Sequence, residues 1–297
     1  MAVGGQAVFG GVMMRAGGRW AVAVRTPEGE IAVHEGAVPT WGNRVRDVPF
    51  LRGLVAIAQA LPLGGRALQW SASHGLVKPR RRSATVARLA GLVAVLLFVP
   101  PLLAERLVDL GPAGLDNPWV AGVLVNVLSV AVLAGYAAAV GRFQLLPALF
   151  EYHGAEHKVV AAHEAGVELT PGHASGFSTR HARCGTSLLL SIAIVALVAT
   201  ILEPVLSLPA WLSFPVVAAL ATELQLQVAT HLDRRWAQVL VRPGLALQRL
   251  TTREPSPAQL EVAIAALQAV VPARATVTAT AAQPSSVVTS VVAPVPA

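Results

Sequence analysis

Charge is scarce in this chain. Of its 297 residues, 13% are Asp, Glu, Lys or Arg and 54% are hydrophobic; a soluble domain carries about a quarter charged residues. The apolar residues fall into long uninterrupted runs and mean hydropathy is +0.59. This excludes two soluble domains and points to an integral membrane protein. Cysteine occurs once, as Cys184, which excludes an internal disulfide framework and leaves a thiol, a thiolate ligand or a small buried residue. The start lacks a basic stretch followed by a long apolar one, so no cleavable signal peptide is expected. Walker and dinucleotide spacings are missing from the glycine-rich opening GGQAVFGGVMMR, residues 4–15. A packed loop using glycine's access to positive φ is expected there. No internal repeat stands out.

Positive charge exceeds negative, with a formal net charge of +7 and a pI near 10.9. It is grouped beside the apolar runs, as in Lys78-Pro79-Arg80-Arg81-Arg82. Basic residues so placed meet anionic headgroups and set orientation. No aromatic–basic interleaving suggests RNA. Membrane lipids are therefore the expected partner, and nucleic acid is not.

The resulting expectation is a mainly α-helical integral membrane protein with about four transmembrane helices, a small N-terminal β element and cytoplasmic helices. Residues 1–48 hold the Gly-rich and β element, with a hairpin expected from Trp20 to His34. Residues 49–82 are an amphipathic interfacial helix and basic linker, and 83–141 a first transmembrane pair. The His-rich segment is 142–183, a second pair with a helical extension is 184–240, and a cytoplasmic segment is 241–270. The Ala/Thr/Val/Ser/Pro tail, 271–297, is expected to be disordered. The four runs are about Leu89–Ala104, Pro118–Val140, Cys184–Leu202 and Pro209–Thr222. The links Glu105–Asn117 and Glu203–Leu208 contain one basic residue, Arg106. The positive-inside rule then expects a multi-pass protein of the cytoplasmic membrane with both termini and the His-rich loop in the cytoplasm.

The chemistry concentrates in Glu151–Ser187, which contains five of the eight histidines and the cysteine. On a helix, His153, Glu156, His157 and Glu164 share one stripe. Two imidazoles one turn apart form a half-site for a divalent metal, and a neighbouring carboxylate can act as base. The spelling H-x-x-E-H inverts the zincin motif. His181 and Cys184 form a second half-site, and Arg183 is suited to clamping an anion or to a basic collar. The bland alternatives are interfacial histidines bonded to headgroups or loop carbonyls, and a cysteine packed at a helix start. His163 and His173 read as loop histidines; His34 and His74 carry no signal.

GGQAVFGGVMMR, YHGAEHK, HARCGTS, PGLALQRLTTREP and QLEVAIAAL occur in that order across residues 4–268. Together they resemble the YqhQ-like family of prokaryotic membrane proteins, of unknown function and commonly labelled predicted metal-dependent enzymes. Two positions depart from the family pattern. Gly10 stands where Glu is usual, and Thr222-Glu223 where Tyr-Glu is usual. The combined reading is a cytoplasm-facing zinc-dependent hydrolase, with His153 and His157 holding the metal together with Glu223 or His181. Glu156 is the catalytic base, and Cys184, Glu164 and Arg183 are possible additions. The rival readings are a non-enzymatic scaffold or regulatory protein with a structural metal site or polar knot, and a transporter. The transporter loses ground because no run carries a mid-membrane charge.

Overall fold

The structure is a computed structural model, and it describes residues 3–45, 47–74, a few positions between 99 and 111, 117–140, 146–206 and 209–271. Its N-terminal part is a four-stranded antiparallel meander, β1 (Val3–Val8), β2 (Gly11–Ala16), β3 (Arg19–Arg25) and β4 (Ile31–Ala37), in the order β1-β2-β3-β4. The register runs from Val3 opposite Ala16 to Val8 opposite Gly11, and from Gly11 opposite Val24 to Ala16 opposite Arg19. Gly17 and Gly18, at φ 56° and 82°, close β2 to β3 as a two-residue hairpin that needs positive φ at both positions. The packed loop expected over residues 4–15 is therefore a strand pair. Gly10, with φ 72°, lies in its turn, and its carbonyl accepts from the Arg25 N–H at 3.0 Å. The hairpin expected over 20–34 is β3 and β4.

The sheet is covered on both faces. Val12, Met14, Ala16, Ala21 and Ala23 face α3 (Leu146–Ala165) and α8 (Pro257–Val270), burying Tyr152, Ala155, Val159, Leu260, Ala263 and Leu267. Met13, Trp20, Val22 and Val24 face α1 (Leu51–His74) at Leu63 and Ala67. Strands buried on both faces lose polar alternation, so β2 carries little periodic signature. The helix α8 starts at a capping box, Ser256 with Gln259. It buries seven of its fourteen residues and exposes Pro257, Ala258, Glu261 and Gln268 along one stripe, as a short amphipathic helix does. The remaining helices are α2 (Pro118–Val140), α4 (Pro171–Ser175), α5 (Gly185–Leu206), α6 (Ala210–Thr230) and α7 (Arg235–Thr251). Helix α5 packs against α2, α6 and α7, and α6 against α1.

The expected four-span architecture is not what the structure shows. Among the described residues, one helix is long and apolar enough to cross a membrane, Gly185–Leu202, with mean hydropathy 2.4 and 11% of the window buried. The run expected at Leu89–Ala104 and the basic linker before it lie largely outside the described residues. In α2 the apolar helix is the shorter stretch Trp119–Val132. Helix α6 fails as a span because it is a packing helix with a polar lower half. Ala218, Ala219 and Ala221 are buried, and Glu223 and Gln227 follow one and two turns on. A Cβ at Gly53 of α1 would lie 1.7 Å from the Thr222 hydroxyl, so the two helices touch almost backbone to side chain. Single-residue composition cannot separate a helix bathed in lipid from one whose small residues meet another helix. The expected disordered tail after 271 also lies outside the described residues.

Candidate metal centre

Helix α3 places His153, Glu156 and His157 on one side, at i, i+3 and i+4. Its other side is fixed by a close crossing. A Cβ at Gly154 would lie 2.1 Å from the Arg253 carbonyl, and the Arg253 N–H donates to the Phe150 carbonyl at 3.0 Å. Glycine is required there by proximity. The same chain segment supplies the Thr251 carbonyl, 2.8 Å from His153 Nδ1. The Thr179 carbonyl lies 2.6 Å from His157 Nδ1. Carbonyls only accept, so Nδ1 carries the hydrogen in both rings. Each Nε2 is thereby turned toward the other partners of the site, the arrangement in which a backbone carbonyl orients a metal-ligating imidazole.

Cys184, at the foot of α5, completes a cluster. The ligand atoms of His153, His157 and Cys184 all lie within 4.8 Å of one another, with His153 Nε2 3.2 Å from Cys184 Sγ. His157 Nε2 is buried and has no hydrogen-bond partner among the described residues, in a residue only 2% exposed. Burial lowers the His157 pKa to about 3, and His153 adds to the effect, so the ring is neutral and its free nitrogen offers a lone pair. Burial also pushes the Cys184 thiol up to about 11. Two imidazoles and a thiol suit zinc. The unpartnered Nε2 of His157 offers the lone pair that such a set uses.

Glu156 is buried beside the cluster. Desolvation raises its carboxyl to about 7 against the pull of His153. It lies against β1: a Cβ at Gly5 would stand 2.9 Å from Glu156 Cγ and Oε1. A cavity of about 550 Å³ collects His153, Glu156, His157, His181, Arg183 and Cys184 with the strand β1.

The other expected site residues divide. Glu164, His181 and Arg183 come together near the cluster: Glu164 pairs with Arg183 and lies 3.3 Å from His181 Nε2. The His157 and His181 ring centroids are 5.9 Å apart, so His181 borders the cluster with its Nε2 turned to Glu164. Burial lowers the His181 pKa. Glu223 is placed elsewhere. It receives the Arg52 Nε–H at 2.9 Å and the Gln227 amide at 2.9 Å. The Arg52 and Gln227 hydrogen bonds hold its carboxyl down at about 2. It is not among the residues lining the cavity. Gly10, in its hairpin turn, is absent from that lining too.

Several participants went unseen in the sequence. Fully buried Gln248 of α7 accepts from the His181 N–H at 2.8 Å, donates to the His181 carbonyl at 2.9 Å and to the Ser187 hydroxyl at 3.0 Å. It thereby ties down the chain that carries Cys184. Thr251 and Thr179 act through backbone carbonyls, which any residue supplies, so no side-chain signal marks them. Gln248 lies inside PGLALQRLTTREP, whose order was visible and whose role was not. Buried Lys158 of YHGAEHK donates to the Ser175 carbonyl at 2.7 Å and pairs with Glu254 at 2.7 Å, tying α3 to α4 and to the segment before α8.

Comparison with known proteins places this architecture. The family described as "Protein of unknown function (DUF1385)" matches residues 48–273. The chain belongs to that family. It is 31% identical over 294 residues, 89% of this chain and 90% of the other, to "Uncharacterized protein YqhQ" of Bacillus subtilis (strain 168). No solved structure matches. The family match takes in α1, the whole cluster and α8, and begins after the sheet that forms one wall of the cavity.

Proposed function

We propose that this family member is a membrane-associated, metal-dependent hydrolase whose zinc-type ion is held by His153, His157 and Cys184. The observation that carries the reading is the buried, unpartnered Nε2 of His157, in a ring fixed by Thr179 and within reach of two further donor atoms. Leaving such an acceptor unsatisfied costs roughly 1–3 kcal/mol, and a cation at the centre of the three donors removes that cost. Three protein ligands with a cavity beside them resemble a catalytic rather than a closed structural site. A bound zinc ion supplies Lewis-acid polarisation and an acidified water.

The chain's own groups divide the remaining work. Glu156 lies outside the three-ligand set and close enough to His153 and Cys184 to act on them electrostatically. It is the carboxyl placed to take a proton from an attacking water and return it to a leaving group. Gln248 and Thr251 hold the Cys184 loop and the His153 ring in position. Arg183, tied to Glu164, stands at the cavity rim. Glu223 leaves the ligand set, and His181 serves as a neighbour to it. Lys158, Arg180 and Arg183 flank the site, and the positive-inside rule puts that side in the cytoplasm.

The test is metal per chain for the purified full-length protein. Wild type should carry about one zinc, and His157→Ala should lose most of it, because a two-ligand remainder binds weakly. Glu156→Gln should retain it when metal is in excess. Metal absent from wild type, or unchanged after loss of both histidines, would overturn the reading.

A further inference from the structure

Among the described residues β1 is an edge strand, paired with β2 alone. Alternate residues of such a strand turn N–H and C=O groups away from their own sheet, a template for another extended chain. Natural edges are blunted with proline, lysine or bulges, and β1, reading VGGQAV, has none of these. Five successive residues, Val3 to Ala7, line the cavity that holds His153, Glu156, His157 and Cys184. The opposite edge, β4, contributes nothing to that lining.

The two glycines of β1 shape this wall. Both are exposed. A Cβ at Gly4 would meet nothing within 4 Å, so the strand is uncovered on that face. A Cβ at Gly5 would strike Glu156, so strand backbone and carboxyl are immediate neighbours. Leu63, Phe150 and Met13 make apolar walls on either side. An open row of backbone donors and acceptors beside a candidate reaction centre recognises one chemistry best. A peptide matches that row residue by residue, whereas an ester or a lipid offers no such alternating series.

Resting on the metal-dependent reading above, we infer that the substrate is a polypeptide bound in extended form along β1, as a fifth strand of the sheet. One of its peptide groups then faces Glu156 and the His153–His157–Cys184 cluster. At about 3.3 Å per residue the lining stretch of β1 accommodates roughly five substrate residues. In the reaction one water is consumed: its oxygen bonds to the carbonyl carbon, the C–N bond breaks, and a hydrogen passes to the amine nitrogen.

The experiment uses full-length protein in detergent and a library of acetylated, amidated random octapeptides carrying photo-leucine. A matched library has backbone N-methyl groups at alternate positions, which removes strand donors and keeps the side chains. Crosslinks should map to residues 3–8 and to Leu63 or Phe150. N-methylation should reduce their yield by about tenfold, the effect of losing a pair of hydrogen bonds. Equal capture of the N-methylated library, or crosslinks away from β1, would overturn the inference. Metal without peptide capture would sink this inference alone, and capture without metal would sink the hydrolase reading alone.

Discussion

Two buried carboxylates, Glu156 and Glu223, face opposite surroundings. Glu223, on α6, is met by the Arg52 guanidinium, the Gln227 amide and the Phe50 N–H, and its carboxyl falls to about 2. Glu156, on α3, is buried against a glycine strand, and desolvation raises it to about 7. The first is a structural anion that joins α1 to α6. The second is a group kept in an environment hostile to its charge, beside two imidazoles and a thiol, which is how proton-transfer sites are built. Burial alone does not mark a catalytic carboxylate; the company it keeps does.

The largest effect expected from breaking this contrast is on turnover. Glu156→Gln should lower hydrolysis by about 10²–10⁴-fold, the usual share of a positioned acid–base group, with metal content retained. Glu223→Gln, measured beside it, should leave turnover close to wild type.

Next in size is the loss of α3's placement. Gly154→Val puts a side chain 2.1 Å from the Arg253 carbonyl at its first atom. We expect destabilisation of about 3 kcal/mol or more, the upper end for overpacking, read by thermal unfolding. Loss of metal should accompany it, because the same crossing holds the Thr251 carbonyl to His153.

Smaller again is Arg52→Ala, which leaves the Glu223 carboxylate without its cation. It should lower Tm by more than Glu223→Gln does, because removing the cation of a partly buried pair leaves the less exposed carboxylate unpaired. Metal content should not change in either variant.

The smallest effect is a pH dependence. The Glu223 carboxyl titrates near 2 in the folded chain and near 4.3 in an unfolded one. Its stabilisation is therefore complete above about pH 4.3 and is lost as pH falls toward 2. Glu223→Gln should flatten the acid limb of the stability curve in that window. An unaltered limb would show that Arg52 does not hold the carboxylate.

The same contrast shows what was legible in the sequence. His153, Glu156 and His157 could be grouped because helical spacing alone puts i, i+3 and i+4 on one side. Cys184 stood in the same His-rich stretch, and the structure brings it to His153. Glu223 could not be assigned, because distance along a chain says nothing about which neighbour a helix face meets. Arg52, its real partner, lies 171 residues away. The hairpin over residues 4–15 was hidden because glycines stand where strand side chains would alternate, and one of them, Gly5, clears the space that Glu156 occupies. The span count went wrong at Pro209–Thr222, whose small residues meet α1, because composition does not separate a helix facing lipid from one facing another helix. Where each helix packs decides between them.

The central claim is that His153, His157 and Cys184 hold one metal ion together, and X-ray absorption at the zinc edge tests it most directly. On zinc-loaded full-length protein, nitrogen scatterers are expected at about 2.0–2.1 Å and one sulfur at about 2.3 Å. Cys184→Ser should remove the sulfur shell and keep the nitrogens. A first shell of nitrogen and oxygen alone, identical in wild type and Cys184→Ser, would contradict it.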